Sequence, residues 1–182
     1  MMLVAAVAMF ASCCNNKCKC SCSECSCCKD EAVATAEGAD EEGFEAIFNG
    51  ETLDGWRGYG MEVPPTSWDV EDGAIHLKGS GTGEAQAEGG GDLLYDKKLS
   101  NFEIRFEYKI SKGGNSGVFY LAQEAKSQKT GELLPIWQSA SEYQILDNAN
   151  HIDAQLGVDG NRQAASLYDM IPAKPQNAKP YG

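Results

Sequence analysis

Phe102, Ile104, Phe106, Tyr108 and Ile110 alternate with Glu103, Arg105, Glu107 and Lys109 in NFEIRFEYKIS, residues 101–111. A helix would scatter these side chains around its circumference. A β-strand puts every apolar one on one face and every charge on the other. The stretch therefore predicts a strand with one buried face and one wet face. At about 25 cal/mol per Å2, five such side chains contribute on the order of 10 kcal/mol before entropy is subtracted. The neighbouring segments agree. SWDVEDGAIHLKG, residues 67–79, reads as two short strands joined at Asp72-Gly73, a strong hairpin pair. FNGETLDGW, residues 48–56, holds an Asn-Gly turn and then a Gly-Trp pair. KGGNSGVFYLA, residues 112–122, turns through Gly113-Gly114 into a strand, and SEYQILD is a further strand. No long stretch has a helical period. Many short strands separated by turn signals predict an all-β sandwich. Residues 79–91 are glycine-rich and polar, a loop whose glycines follow no phosphate-binding spacing, so a nucleotide loop is excluded.

The chain's 182 residues suffice for one domain and a tail. A net charge of −12 makes nucleic acid and anionic membrane surfaces poor partners and suits solubility or a neutral or cationic ligand. All 8 cysteines lie between Cys13 and Cys28, so the domain folds without disulfides. MMLVAAVAMFASCC opens with twelve apolar or small residues, too short to span a bilayer but right for a signal-peptide core over residues 1–12. The usual basic segment before that core is missing. FASC, residues 10–13, resembles a bacterial lipoprotein box with Phe10 where Leu is usual, which would place a lipid on Cys13. CCNNKCKCSCSECSCC, residues 13–28, has thiol spacing that could hold a soft metal, or it is a flexible tether. Residues 29–45 are acidic and Ala/Gly-rich, with little apolar surface to bury. Residues 13–43 are thus expected to be a disordered tether.

SEYQILDNANH, residues 141–151, gathers polar groups at the end of a strand. Glu142 and Gln144 are two apart and share a face. Asp147 joins them if one residue, Leu146, is bulged out and resets the alternation. The simpler alternative is a capped strand end, with Asp147-Asn148 as a turn and His151 on the surface. Asn115 and Ser116 in GGNSG fit a tight turn made by glycines that tolerate positive φ. Trp56, Trp68 and Trp137 are read as core or cleft wall, and His76 as structural.

FNGETLDGW, FEIRFEYKI, GGNSGVFYL, EYQILDNANH and SLYDMIPA together resemble the 3-keto-disaccharide hydrolase domain family, from about Phe44 to the last residue and in the family's order. The resemblance implies a concanavalin A-like β-sandwich (jelly roll) of two curved antiparallel sheets with a ligand cleft on the concave one. Family members continue past the point where this chain stops, so the C-terminal strands are expected to be missing. E-x-Q-x-x-D at Glu142, Gln144 and Asp147 is similar to the E-x-D-x-x-E strand of laminarinase-like glucanases of that fold. Gln144 cannot titrate, which disfavours a two-carboxylate mechanism. A ketone at C3 of a sugar offers another route. It acidifies the hydrogen on C2, so one base and one electrophile suffice for elimination at C1 followed by hydration.

The resemblance thus implies Glu142 or Asp147 as the base. It implies His151, or a divalent metal held by Asp147 and His151, as the electrophile. Two ligands are too few to hold a metal on their own. Asn115, Ser116, Tyr120 and Gln144 are expected at the cleft, and Tyr168 in SLYD is expected to stack on a sugar ring. The expectation is an exported enzyme cleaving 3-keto-glycosides. It would be a periplasmic or outer-membrane lipoprotein, touching the membrane only through its lipid. A lectin-like carbohydrate-binding module is the alternative. A third reading makes the Cys-rich tail the functional part and the domain its carrier. Oligomeric state is not readable from these residues.

Overall fold

Asp72-Gly73 forms the hairpin that its sequence predicts. Both residues have positive φ, 51° and 74°, as a type I′ turn requires. Strands Trp68–Glu71 (β5) and Ala74–Leu77 (β6) pair antiparallel across it, from Glu71 opposite Ala74 to Trp68 opposite Leu77. The computed structural model describes residues 43–78 and 90–180, with the backbone of Leu3–Val4 (β1) and Phe10–Ala11 (β2). The remaining strands are Glu45–Ala46 (β3), Trp56–Gly58 (β4), Leu93–Tyr95 (β7), Ile104–Arg105 (β8), Asn115–Tyr120 (β9) and Ser141–Leu146 (β10). Two 3-10 turns, Ile136–Gln138 and Ile152–Gln155, complete the order, and no α-helix occurs among the described residues. The fold is all-β. Its pairings are β1-β6-β5, β3-β2-β8, β4-β7 and β9-β10, every one antiparallel.

Residues 101–110 keep the predicted alternation, apolar side chains turned in and charged ones out. Their ladder is shorter than expected: only Ile104 and Arg105 are strand residues, opposite Ala11 and Phe10. One-sided burial sets the period of two, whereas a ladder also needs a partner of matching length.

The apolar face packs into two adjoining clusters. Ile47, Trp56 and Ile75 are the centre of one, and Ile110 and Ile145 of the other; Phe106 touches both. Tyr143 meets Phe106 edge-on at 5.8 Å between ring centroids. Of the tryptophans, Trp56 is core and bonds the Ile47 carbonyl at 3.1 Å, Trp68 lies against that cluster, and Trp137 is exposed. A third cluster, Leu146, Ala154 and Ala164, sits at the end of β10. His76 is buried in β6, its Nδ1 2.9 Å from Asp69 Oδ1, in keeping with a structural role. The predicted signal segment lies outside the described residues except for β1 and β2, and the Cys-rich tether and Cys13 lie wholly outside them. No helix among the described residues is long and apolar enough to cross a membrane.

Candidate active site

β10 pairs with β9 without interruption, from Ser141 opposite Tyr120 to Leu146 opposite Asn115. The expected bulge at Leu146 is absent. Leu146 is paired and buried because its side chain has an apolar cluster to fill. Regular alternation then gives the β9–β10 ladder two distinct faces. Glu142, Gln144 and the buried Leu146 share one face with Asn115, Gly117 and Phe119. Tyr143 and Ile145 share the other with Ser116, Val118 and Tyr120.

The second face is apolar. It opens on a cavity of about 550 Å3 lined by Phe102, Phe106, Tyr108, Val118, Tyr120 and Tyr143, among others. Tyr120 and Ser116 therefore point away from Glu142, against the expectation that they reach its cleft. Among the described residues no carboxylate lines this cavity, whereas Glu142 lies on the opposite face.

On that face Glu142 is half-buried, and its carboxyl is pushed up to about 7. Burial is the main cause, followed by the negative charges of Asp92 and Asp153. A carboxylate with this midpoint exchanges protons near neutral pH, as a general base should. Asp92 is itself raised by burial. It is placed by its neighbours: the Trp68 indole donates to the Gly91 carbonyl at 2.8 Å, and the Tyr59 amide donates to the Asp92 carbonyl at 2.9 Å.

The other edge of β10 is covered by residues 164–168. The Gln144 amide donates to the Ser166 carbonyl, Ala165 donates to the Gln144 carbonyl, and Tyr168 donates to the Glu142 carbonyl, at 3.0, 2.8 and 3.0 Å. Tyr168 thereby arrives beside Glu142. Its hydroxyl donates to Asp153 Oδ2 at 2.7 Å, and Arg162 Nη1 donates to Asp153 Oδ1 at 3.2 Å. Arg162 also grips Asp169 with two bonds, of 2.8 and 2.9 Å, and its guanidinium lies 5.5 Å from the centre of the Tyr168 ring. Burial and the bond to Asp153 raise the Tyr168 hydroxyl, keeping it protonated. Asp153 is 3% exposed, a buried carboxylate shared by a phenol and a guanidinium.

Asp147 has different surroundings. It is 2% exposed. Its Oδ2 accepts from the Gly113 amide and from Asn150 Nδ2, both at 2.7 Å, and its Oδ1 accepts from the Ala149 amide at 3.1 Å. Burial alone would raise this carboxyl; these donors outweigh it and hold it below the ordinary carboxylate range. His151 Nδ1 accepts from the Asp153 amide at 3.1 Å and caps the turn Ile152–Gln155. These two residues thus match the capped strand end. No group of three or more His, Cys, Asp or Glu side chains among the described residues is placed to hold a metal ion. Asn115 is exposed on the Glu142 face, and Gln144 is buried there, its Oε1 accepting from the Ile145 amide at 3.1 Å. Asp92, Asp153 and Arg162 were not read from the sequence. They lie 50, 11 and 20 positions from Glu142, and no spacing motif joins them. The carboxylates of DNANHID beside the arginine and tyrosine of NRQAASLYD were the available signal.

Residues 43–182 match the family described as a 3-keto-alpha-glucoside-1,2-lyase-like domain. A curated relative from Bacteroides thetaiotaomicron, named a 3-keto-disaccharide hydrolase, is 60% identical over 146 residues, which cover 79% of this chain and 50% of the relative. The chain thus spans about half the length of the curated relative it matches.

Proposed function

From the premise that this chain belongs to the 3-keto-alpha-glucoside-1,2-lyase-like domain family, we propose that it cleaves 3-keto-glycosides, with Glu142 as the base. The observation that carries this reading is a half-buried carboxylate pushed up to about 7 beside the Tyr168–Asp153–Arg162 group. Glu142 takes the C2 proton, made acidic by the neighbouring ketone. The C1–O bond breaks, and the leaving oxygen takes up a proton. Water then adds across C1 and C2, hydroxyl to C1 and proton to C2. The sum is hydrolysis of the glycosidic bond. Charge that builds on the ketone oxygen needs a donor. Tyr168 and Arg162 are the candidates that Asp153 holds on this side of β10; His151, alone or with a divalent metal and Asp147, is the candidate carried over from the sequence. The relative's name and the family's description support this substrate class.

The test offers a glucoside and its 3-keto derivative to the protein and to Glu142→Gln, each with and without a chelator. Cleavage of the keto sugar alone, lost in the variant, is the expected result. Loss on chelation would make the electrophile a metal. Equal cleavage of both sugars would point to direct hydrolysis, and binding without cleavage to a carbohydrate-binding module. We also read the fold as a concanavalin A-like jelly roll and Cys13 as a lipidated residue of an exported protein, periplasmic or on the outer membrane. Antiparallel strands with one apolar face support the first reading, and the FASC segment supports the second. Incorporation of a labelled fatty acid that is lost in Cys13→Ser would test the lipid.

A further inference from the structure

Gly117 sits inside β9, opposite Gln144 and diagonal to Glu142. A glycine within a strand costs backbone entropy and packs nothing, so it calls for a reason. Its backbone supplies none: Gly117 is not among the residues with positive φ, whereas Gly113, in the preceding turn, is at 64°. The space above it does supply one. A Cβ built on Gly117 would lie 2.7 Å from both Cγ and Cδ of Glu142 and closer still to Oε1, distances that bonded neighbours alone tolerate. The Glu142 side chain therefore lies across the strand, in the room that the missing methyl leaves.

We propose that Gly117 is a positioning residue for Glu142, its missing side chain forming the seat in which the carboxylate rests. The proposal rests on the reading of Glu142 as the base. The charged groups that face this carboxylate are Asp92, ahead of β7, and Asp153, in the turn Ile152–Gln155, while the amide of Tyr168 holds Glu142 by its main chain. None comes from β9 beside the glycine. The seat fixes where the carboxylate sits relative to those two charges and to substrate, and its loss misplaces a base that is otherwise intact.

Gly117→Ala is the direct test, because alanine accepts the backbone here and the displaced atoms belong to the end of a flexible side chain. The Glu142 carboxyl is titrated by 13C NMR in the wild type and in Gly117→Ala, its signal identified by its absence from Glu142→Gln. Thermal unfolding and the pH dependence of kcat on the 3-keto glucoside are measured alongside. The expected result is an unfolding midpoint close to wild type. The Glu142 titration falls from about 7 toward the ordinary glutamate value of about 4.3, and kcat falls by roughly tenfold or more, its acid limb moving with the titration. An unchanged titration together with an unchanged kcat profile would overturn the proposal. If Gly117→Ala fails to fold, the double variant with Glu142→Ala decides: recovery of folding supports the seat, and continued failure assigns the glycine to the backbone instead. If the wild type shows no turnover at all, the reading of Glu142 as base fails, while the NMR titration still decides whether Gly117 seats it.

Discussion

Glu142 and Asp147 stand five residues apart in one short stretch; burial acts on both alike, and their partners set them apart. Asp147 meets three N–H donors, so its charge is compensated. Glu142 meets burial and two further carboxylates, so its charge is resisted. Replacing Glu142 by Gln is expected to lower kcat on a 3-keto glucoside by about 10²- to 10⁴-fold with sugar binding retained, a split that steady-state kinetics and calorimetry would read. The same substitution has a signature in stability. Because the folded midpoint lies above the unfolded one, the native state holds more protons between about pH 4.3 and 7, and Glu142 stabilises less as pH rises through that window. Glu142→Gln should therefore gain on the wild type in unfolding free energy from pH 5 to pH 8; a parallel pH profile for the two proteins would contradict this. Asp147→Ala should instead cost on the order of 3 kcal/mol by orphaning buried donors, while kcat per folded molecule stays near wild type. A kcat loss matching that of Glu142→Gln would return Asp147 to the chemistry. The contrast was half legible: E-x-Q marked the face and Ala149 and Asn150 are local donors to Asp147, but the third donor, Gly113, comes from 34 positions away.

At the scale of elements, short-range rules read well and pairing partners did not. Asp72-Gly73 carries its turn geometry in two residues, so the β5–β6 hairpin could be placed from sequence. The alternation of residues 101–110 survives for the same reason, since it records one-sided burial. The length of the β8 ladder and the covering of β10 by residues 164–168 depend on which distant segments arrive alongside, and no local pattern encodes that. Phe106 shows what the alternating segment contributes. It touches both adjoining clusters, so Phe106→Ala should cost about 3 kcal/mol, seen as a lower denaturant midpoint with an unchanged slope. A loss under about 1 kcal/mol would mean that the clusters do not depend on their shared ring.

For the whole molecule, the boundary near Gly43 is the testable unit. The family match begins at residue 43, and β1 and β2 contribute only two residues each. A chain starting at Gly43 should keep its cooperative unfolding transition and its turnover of the 3-keto sugar, with a midpoint within a few degrees of the full chain. Loss of the transition would make the N-terminal segment part of the domain, and loss of turnover alone would favour a functional tail. The two faces of β9–β10 carry a further consequence, for how this protein tolerates mutation. In a comprehensive library, damage along the middle of these strands would sort by face. Changes at 116, 118, 143 and 145 would reduce the amount of protein recovered from cells, and changes at 117 and 142 would yield abundant but inert protein. Neighbouring codons would thus fail for unrelated reasons, and a survey scored by abundance alone would pass over the chemistry.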